Sequence, residues 1–377
     1  MTTASAPLAG HSTVDDFETR IADAGIRGFW SMLDEYEMSE PANPEIGCIW
    51  SHDTYRALAL EALSLIPVEK ADRRNLFFSN PGLKDAGAAT SRLLAGVQAI
   101  NPGETSRVHR HTAAAARVHL EGVGGYTTVA GRKCQLEFGD VILNPNGLWH
   151  ETGNDGDEPV IWMDVLDLKL TRALHANFFT NDYAETNAEG AAVPRRQQTV
   201  VAIDDPERGS SQRSDGQAPG LASTDPTTEF PPLLHRYRLV RPLLDELPSA
   251  DRLPWDGTVL ELTHRDAKAS VLQTIDARMH LLRAGHDTLP SRRTAGTVYC
   301  CLEGSGRTVV NGCNLQWSER DIFVVPGWAW MSHHPGDRDC ILYAVSDAPM
   351  MQRLGLFVED RQDDDGNISR EIDWDRP

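Results

Sequence analysis

Residues 100–124 read INPGETSRVHRHTAAAARVHLEGVG, and residues 282–306 read LRAGHDTLPSRRTAGTVYCCLEGSG. Laid over one another, Gly103 matches Gly285, Thr112 matches Thr294, and Glu121-Gly122 matches Glu303-Gly304, each pair 182 positions apart. Further on, Asp140, Pro145 and Trp149 match Asp321, Pro326 and Trp330 at a spacing of 181, as one deleted turn residue would produce. Similarity at a fixed spacing marks a duplicated structural unit. From residue 76 the text is short apolar runs divided by Gly, Pro, Asn and Asp, among them ARVHLEG, GYTTVAG, KCQLEFGD, VILNP and VIWMDVL. That pattern predicts many short strands in a sandwich or barrel. The chain therefore carries two copies of one strand-rich unit.

The copies differ at three histidines. His109 corresponds to Ser291, His111 to Arg293, and His150 to Met331. Residues two apart in a strand project to one face, so His109 and His111 point together and His150 can join them from a later strand. Histidines that served only the frame would be needed in both copies. The second copy manages without them, so they serve chemistry, and only the first copy keeps it. Neutral imidazole suits iron, zinc, copper and nickel. His119 and the pair His333-His334 read as structural or solvated.

A chain of 377 residues predicts two domains with an arm or linker. The expected boundaries are a helical arm at 1–75, a metal-binding barrel at 76–182, a linker and connecting segment at 183–256, a metal-free barrel at 257–357 and an acidic tail at 358–377. Helices are expected over 14–36 and 53–66, the first capped by Ser12 or Thr13. The stretch 183–232 is rich in Gly, Pro and Ser and reads as a partly mobile linker. A net charge of −19 argues against a nucleic-acid partner. No run of apolar residues is long enough to span a membrane, and the first residues lack the basic and apolar regions of a secretory signal, so a cytoplasmic protein is expected. The six cysteines form no CxxC pair and read as reduced, mostly buried thiols, with Cys300 and Cys301 on opposite faces of one strand.

Two motifs narrow the reading. In the first, five residues separate Gly103 from His109-x-His111; in the second, Gly139 is followed by Pro145-x-Gly147, His150 and Asn154. Together they resemble the paired motifs of the cupin superfamily. Many cupins add a metal-binding Glu four or five residues after the second His, where this chain has Ala115 and Ala116. A two-barrel cupin with a three-histidine site resembles the gentisate 1,2-dioxygenase family, which includes salicylate, nitrosalicylate and 1-hydroxy-2-naphthoate ring-cleaving enzymes. The likeness runs over about residues 50–357 and is carried by RRNLFFSNPGL, AGVQAINPGE, HRHTAAAARVHLEG, GNDGDEPVIWMDVLD, YCCLEGSGR and DIFVVPGWAW.

The resemblance implies a mainly β bicupin, two antiparallel jelly-roll barrels with an N-terminal helical arm. It implies one Fe(II) per chain, held by His109, His111 and His150 in the first barrel. The reaction inserts O2 between the carboxylate- and hydroxyl-bearing ring carbons of an ortho-hydroxylated aromatic acid, in aromatic catabolism. It further implies a homotetramer, with the second barrel as scaffold and oligomer contact. Arg117 would pair with the substrate carboxylate, as a planar guanidinium suits, and its counterpart Tyr299 would not. Arg73 or Arg74 would add a second positive group. Asp164 would accept a hydrogen bond from a distal ring hydroxyl, Gln98 would hydrogen-bond around the site, and Leu94 and Gly96 would form substrate wall. Two positions depart from the family. Thr152 stands where relatives often have a histidine, and threonine is no base near neutral pH. Leu94 stands where Tyr or Trp is common. Gentisate is the default substrate, and both departures suit a bulkier or substituted salicylate. The alternatives are another metal-dependent bicupin enzyme, such as an oxalate decarboxylase or quercetin-type dioxygenase, and a non-catalytic or regulatory bicupin.

Overall fold

The structure, a computed structural model, describes residues 13–84, 87–181, 201–202, 210–213, 234–248, 252–263 and 272–372. It divides into two compact units, residues 1–42 and 43–377.

In the first unit, Thr13 caps helix Val14–Asp23 through a reciprocal box with Asp16. The helix expected over 14–36 is interrupted. Gly25 takes a left-handed φ of 71° just past the helix end, the usual stop for a helix. A short 3-10 turn, Phe29–Ser31, and helix Leu33–Tyr36 follow. Trp30 folds back to stack on Phe17 and donates to Glu18 at 2.9 Å.

The second unit contains both barrels, each made of two six- or seven-stranded sheets. In the first barrel one sheet runs Leu234–His235, Val141–Asn144, Ala115–Glu121, Val160–Leu166, Leu94–Ile100, Arg74–Phe77. The facing sheet runs Phe179–Asn181, His109–His111, His150–Asn154, Gly125–Val129, Arg132–Gln135, Val201–Ala202. The second barrel repeats the order: Cys48–Trp50, Ile322–Val325, Thr297–Glu303, Cys340–Ser346 and Asp276–Leu282 occupy the places of the first five strands of the first sheet. The matched Gly122 and Gly304 both take positive φ, 84° and 87°, and an added Cβ would meet a facing carbonyl at 2.4 and 2.8 Å, which explains why both copies keep glycine.

The segment before each barrel docks on the other. Cys48–Trp50 pairs with Ile322–Val325 of the second barrel, and Leu234–His235 pairs with Val141–Asn144 of the first. Each short strand leads into a helix, His52–Leu65 and Tyr237–Glu246. The backbone N–H of His52 donates to Asp321 at 2.7 Å, and that of Tyr237 donates to the matched Asp140 at 2.8 Å. The His52 ring and Arg56 reach Glu121, while Tyr237 and Arg241 reach the matched Glu303. The duplication thus includes a strand and helix that cross between barrels.

The main core lies between the barrels. Tyr55, Ala59 and Leu63 of one crossing helix and Tyr237, Val240 and Leu244 of the other pack with Val118, Leu143 and Met163 of the first barrel and Met279, Val298 and Val324 of the second. The barrel interiors differ. Tyr299, Cys301, Trp317, Phe323 and Met331 fill the second. Cys300 joins the inter-barrel core while Cys301 faces inward, the opposite faces expected of them. All six cysteines are free, five of them wholly or partly buried.

Three expected boundaries change. The arm does not extend to 75, because Cys48–Trp50, His52–Leu65 and Arg74–Phe77 are built into the two-barrel unit. The stretch 358–377 is not a solvated tail through 372: Val358–Gln362 pairs with Ser291–Arg293 and with Ile368–Ile372. Two of its acidic residues are neutralised in place, Asp360 by Arg292 and Arg370, and Glu359 by Arg293 and Arg361. Within 183–256, residues 234–248 are an integral strand and helix. Most of the expected mobile linker 183–232 lies outside the described residues.

Candidate active site

His109, His111 and His150 come together inside the first barrel. His109 and His111 lie on one strand, and His109 is directly opposite His150 on the next. Their ligand atoms all lie within 4.8 Å of one another. Each Nδ1 bonds a backbone carbonyl two residues away: Arg107 at 2.9 Å, Ala113 at 2.8 Å and Leu148 at 2.9 Å. Bonding to a carbonyl puts the ring proton on Nδ1 and leaves Nε2 as the unprotonated nitrogen, which is how ligating imidazoles are oriented. Burial pulls all three rings below the ordinary imidazole range, His150 to about 3, with the neighbouring His111 adding to the shift. Neutral rings are what metal ligation needs. Bonds of about 2.1 Å bring ligand atoms within roughly 4 Å, so the donor set fits a metal ion after a small inward movement.

The rings open on a cavity of about 300 Å³ between the two sheets. Of the residues expected there, the wall includes Arg73, Leu94, Gln98, Arg117, Thr152 and Asp164 beside the histidines. Arg74 and Gly96 are not part of it. Strand alternation sends Arg73, Asn75 and Phe77 to the cavity and Arg74 to the other face. There Arg74 is buried, donating to Ile66 O at 2.6 Å and to both oxygens of Glu104. Gly96 has a different purpose: a Cβ would meet Leu76 O at 2.4 Å, so its absence lets the edge strand approach.

Arg117 and Asp164 face one another across adjacent strands and form a two-point ion pair at 2.6 and 2.9 Å. Arg117 also donates to Thr127 at 2.8 Å and Gln98 at 3.4 Å and lies 4.5 Å over the Trp162 ring. Four of its five N–H donors are therefore engaged. Asp164, expected to meet a distal ring hydroxyl, turns both oxygens to Arg117. Gln98 accepts from Trp162 at 3.3 Å and donates to Thr152 at 3.2 Å, and Thr152 donates to Ser106 at 3.1 Å. Thr152 is thus held in a buried chain of hydrogen bonds. The Arg73 guanidinium donates to Nε2 of His109 and lies 5.1 Å from the Phe179 ring.

Sequence reading missed Phe179, which stacks on His109 and His111 at 5.4 and 5.9 Å. Its strand, Phe179–Asn181, is too short to show periodicity. Asn75, Phe77, Asn144 and Leu166 also line the cavity unanticipated. The strand pattern could have found the first two once the edge strand's register was known. His119, expected to be structural, bonds Gly122 O at 2.8 Å away from the triad. In the second barrel the histidine positions are filled by a buried cluster in which Arg293 pairs with Asp256 at 2.9 and 3.1 Å and Glu359 at 3.2 Å.

Residues 96–166 match the Cupin domain family. The chain is 31% identical to the 5-aminosalicylate 1,2-dioxygenase of Comamonas sp, over 94% of this chain and 92% of that one. It is 29% identical to gentisate 1,2 dioxygenase 1 of Aquipseudomonas alcaligenes, over 92% and 96% of the two chains. Among solved structures, salicylate 1,2-dioxygenase from Pseudoaminobacter salicylatoxidans, crystallised as an adduct with gentisate, aligns with a TM-score of 0.79 at 25% identity over 94% of this chain and 96% of that one. With a match of this extent joined to a barrel that gathers three neutral imidazoles, the chain belongs to the bicupin family of aromatic ring-cleaving 1,2-dioxygenases.

Proposed function

We propose that the protein is an Fe(II)-dependent dioxygenase that opens an ortho-hydroxylated aromatic carboxylate between its carboxylate- and hydroxyl-bearing carbons. The observation that carries this is the gathering of three neutral imidazoles beside a cavity that also holds Arg73 and Arg117. His109, His111 and His150 would hold the iron, one per chain, without a carboxylate ligand. When bound, the iron supplies Lewis-acid binding of the substrate's adjacent oxygens together with activation of O2.

The chain's own residues do the rest. Arg73 supplies a cavity-facing guanidinium for the substrate carboxylate. Arg117 adds its one uncommitted N–H and a fixed positive field, with Asp164 and Gln98 holding its plane. Phe77, Leu94, Leu166 and Phe179 give the ring apolar walls, Leu94 buried and Phe77 and Phe179 standing exposed. Thr152 holds Gln98 but moves no proton near neutral pH. The family reading also supports a homotetramer.

The test is an oxygen-electrode screen of Fe(II)-reconstituted protein across gentisate, 5-aminosalicylate, salicylate and 1-hydroxy-2-naphthoate, with metal analysis alongside. Oxygen uptake with at least one acid, about one iron per chain, and loss of both in His109→Ala and His111→Ala are expected. Protein that retains no iron, or takes up no oxygen with any of the four, would refute the proposal.

A further inference from the structure

Asn144 is 1% exposed, lines the substrate cavity, and its Oδ1 atom has no hydrogen-bond partner. On its strand, Val141 and Leu143 belong to the inter-barrel core, so Ile142 and Asn144 face the barrel interior. A buried acceptor without a partner is destabilising, and folded proteins rarely keep one without a reason. The duplication supplies an independent observation. Asn144 pairs with Ala115, as Val325 pairs with Thr297, so Val325 is its counterpart in the metal-free barrel. The polar group is present where the histidines are and absent where they are not. A framework role would be required in both barrels.

Its position is tied to the triad. Asn144 enters the turn that ends at His150, and that turn is pinned where the N–H of Gly147 donates to His111 O at 2.8 Å. Across the sheet from it are the small Ala115 and then Leu166 and Leu94, an apolar row that leaves room beside the amide. Asp164, the acceptor otherwise available to a ring substituent, is engaged by Arg117.

We infer that Asn144 Oδ1 is the acceptor for an N–H or O–H substituent on the substrate ring, so that the cavity selects amino- or hydroxy-substituted salicylates over donor-free ones. This rests on the proposed ring cleavage, and the experiment separates the two. Affinities are measured by calorimetry without oxygen on the iron-loaded protein, and kcat/KM in air, for 5-aminosalicylate and gentisate against salicylate and 5-chlorosalicylate. Asn144→Leu removes the acceptor at similar volume, and Asn144→Ala removes it where leucine does not fold. In either variant the preference for donor-bearing rings falls about tenfold, the worth of one hydrogen bond, with the change in Kd and KM rather than kcat. An equal loss on all four acids, or a preference unchanged in the variants of an enzyme whose wild type cleaves them, overturns the role of Asn144 alone. A wild-type protein that binds and cleaves none overturns both readings.

Discussion

Arg117 and Asp164 stand directly opposite on adjacent strands, and each side chain is only 6% exposed. Each charge is largely removed from solvent, so each depends on the other. Asp164 therefore fixes the plane of Arg117 rather than waiting for substrate. Removing one partner of a buried pair leaves an uncompensated charge at a cost of about 3–5 kcal/mol, whereas replacing both with apolar groups is often neutral. Asp164→Ala is expected to lower both stability and kcat/KM. The double variant Arg117→Met with Asp164→Leu is expected to recover most of the stability but none of the activity. Urea denaturation and oxygen uptake measured together check this; a double variant as unstable as the single one would contradict it.

Thr152 sits in the Ser106–Thr152–Gln98 chain, with no titrating group at its position. The pH dependence of kcat/KM is thus expected to carry no contribution from residue 152 between pH 5 and 8. Thr152→His places a titratable imidazole at this buried position, where burial holds its pKa below the ordinary value near 6.5. A new acid limb in the pH profile of that variant is the expected outcome. It also disrupts the buried hydrogen bonds, so a loss of about 1 kcal/mol in stability accompanies it. A profile identical to wild type would mean the imidazole does not reach the reacting groups.

Arg73 donates to the same His109 nitrogen that a metal would take. A guanidinium and a divalent cation cannot both use that lone pair, and their charges repel. Arg73→Ala is expected to bind Fe(II) or Co(II) several-fold more tightly in anaerobic titration and to show a raised KM for the aromatic acid. Weaker metal binding by the variant would assign Arg73 to supporting the triad instead.

The triad was legible because its residue type, its spacing of two and its loss in the second copy all agree. The choice between Arg73 and Arg74 was not, because the edge strand Arg74–Phe77 emerges from an irregular segment and gives no alternation to read in advance. The acidic residues of 358–372 concealed two strands, since Glu359 and Asp360 are buried only by virtue of arginines distant in sequence. The crossing strands Cys48–Trp50 and Leu234–His235 are too short for any periodic signal. Their duplication became visible only through the shared pairing and the matched Asp140 and Asp321 caps.

Those caps make the two barrels interdependent. Each aspartate belongs to one barrel and holds the helix that leads into the other. The two barrels are expected to unfold in a single calorimetric transition. Asp321→Ala and Asp140→Ala each forgo a helix cap worth about 0.5–2 kcal/mol, and Asp140→Ala also releases Arg236 at 2.6 Å, so it is expected to cost more. Two separated transitions in either variant would indicate barrels that fold independently.

The second barrel carries its own pH dependence. His333 is fully buried, held by Thr308 at 2.8 Å, with an unpartnered Nε2. Asp256, Arg293, His280 and His334 surround it. Burial, reinforced by His280, pulls its pKa down to about 3. The folded value lies below the unfolded one near 6.5, so the unfolded chain binds the extra proton and stability falls with pH below that value. Integrating between these values gives a loss of about 2 kcal/mol by pH 5 relative to neutral pH. Unfolding free energies from urea titrations at pH 7.5 and 5 are expected to differ by about 2 kcal/mol less in His333→Asn than in wild type. An equal difference in the two proteins would show that His333 does not stay neutral in the folded chain.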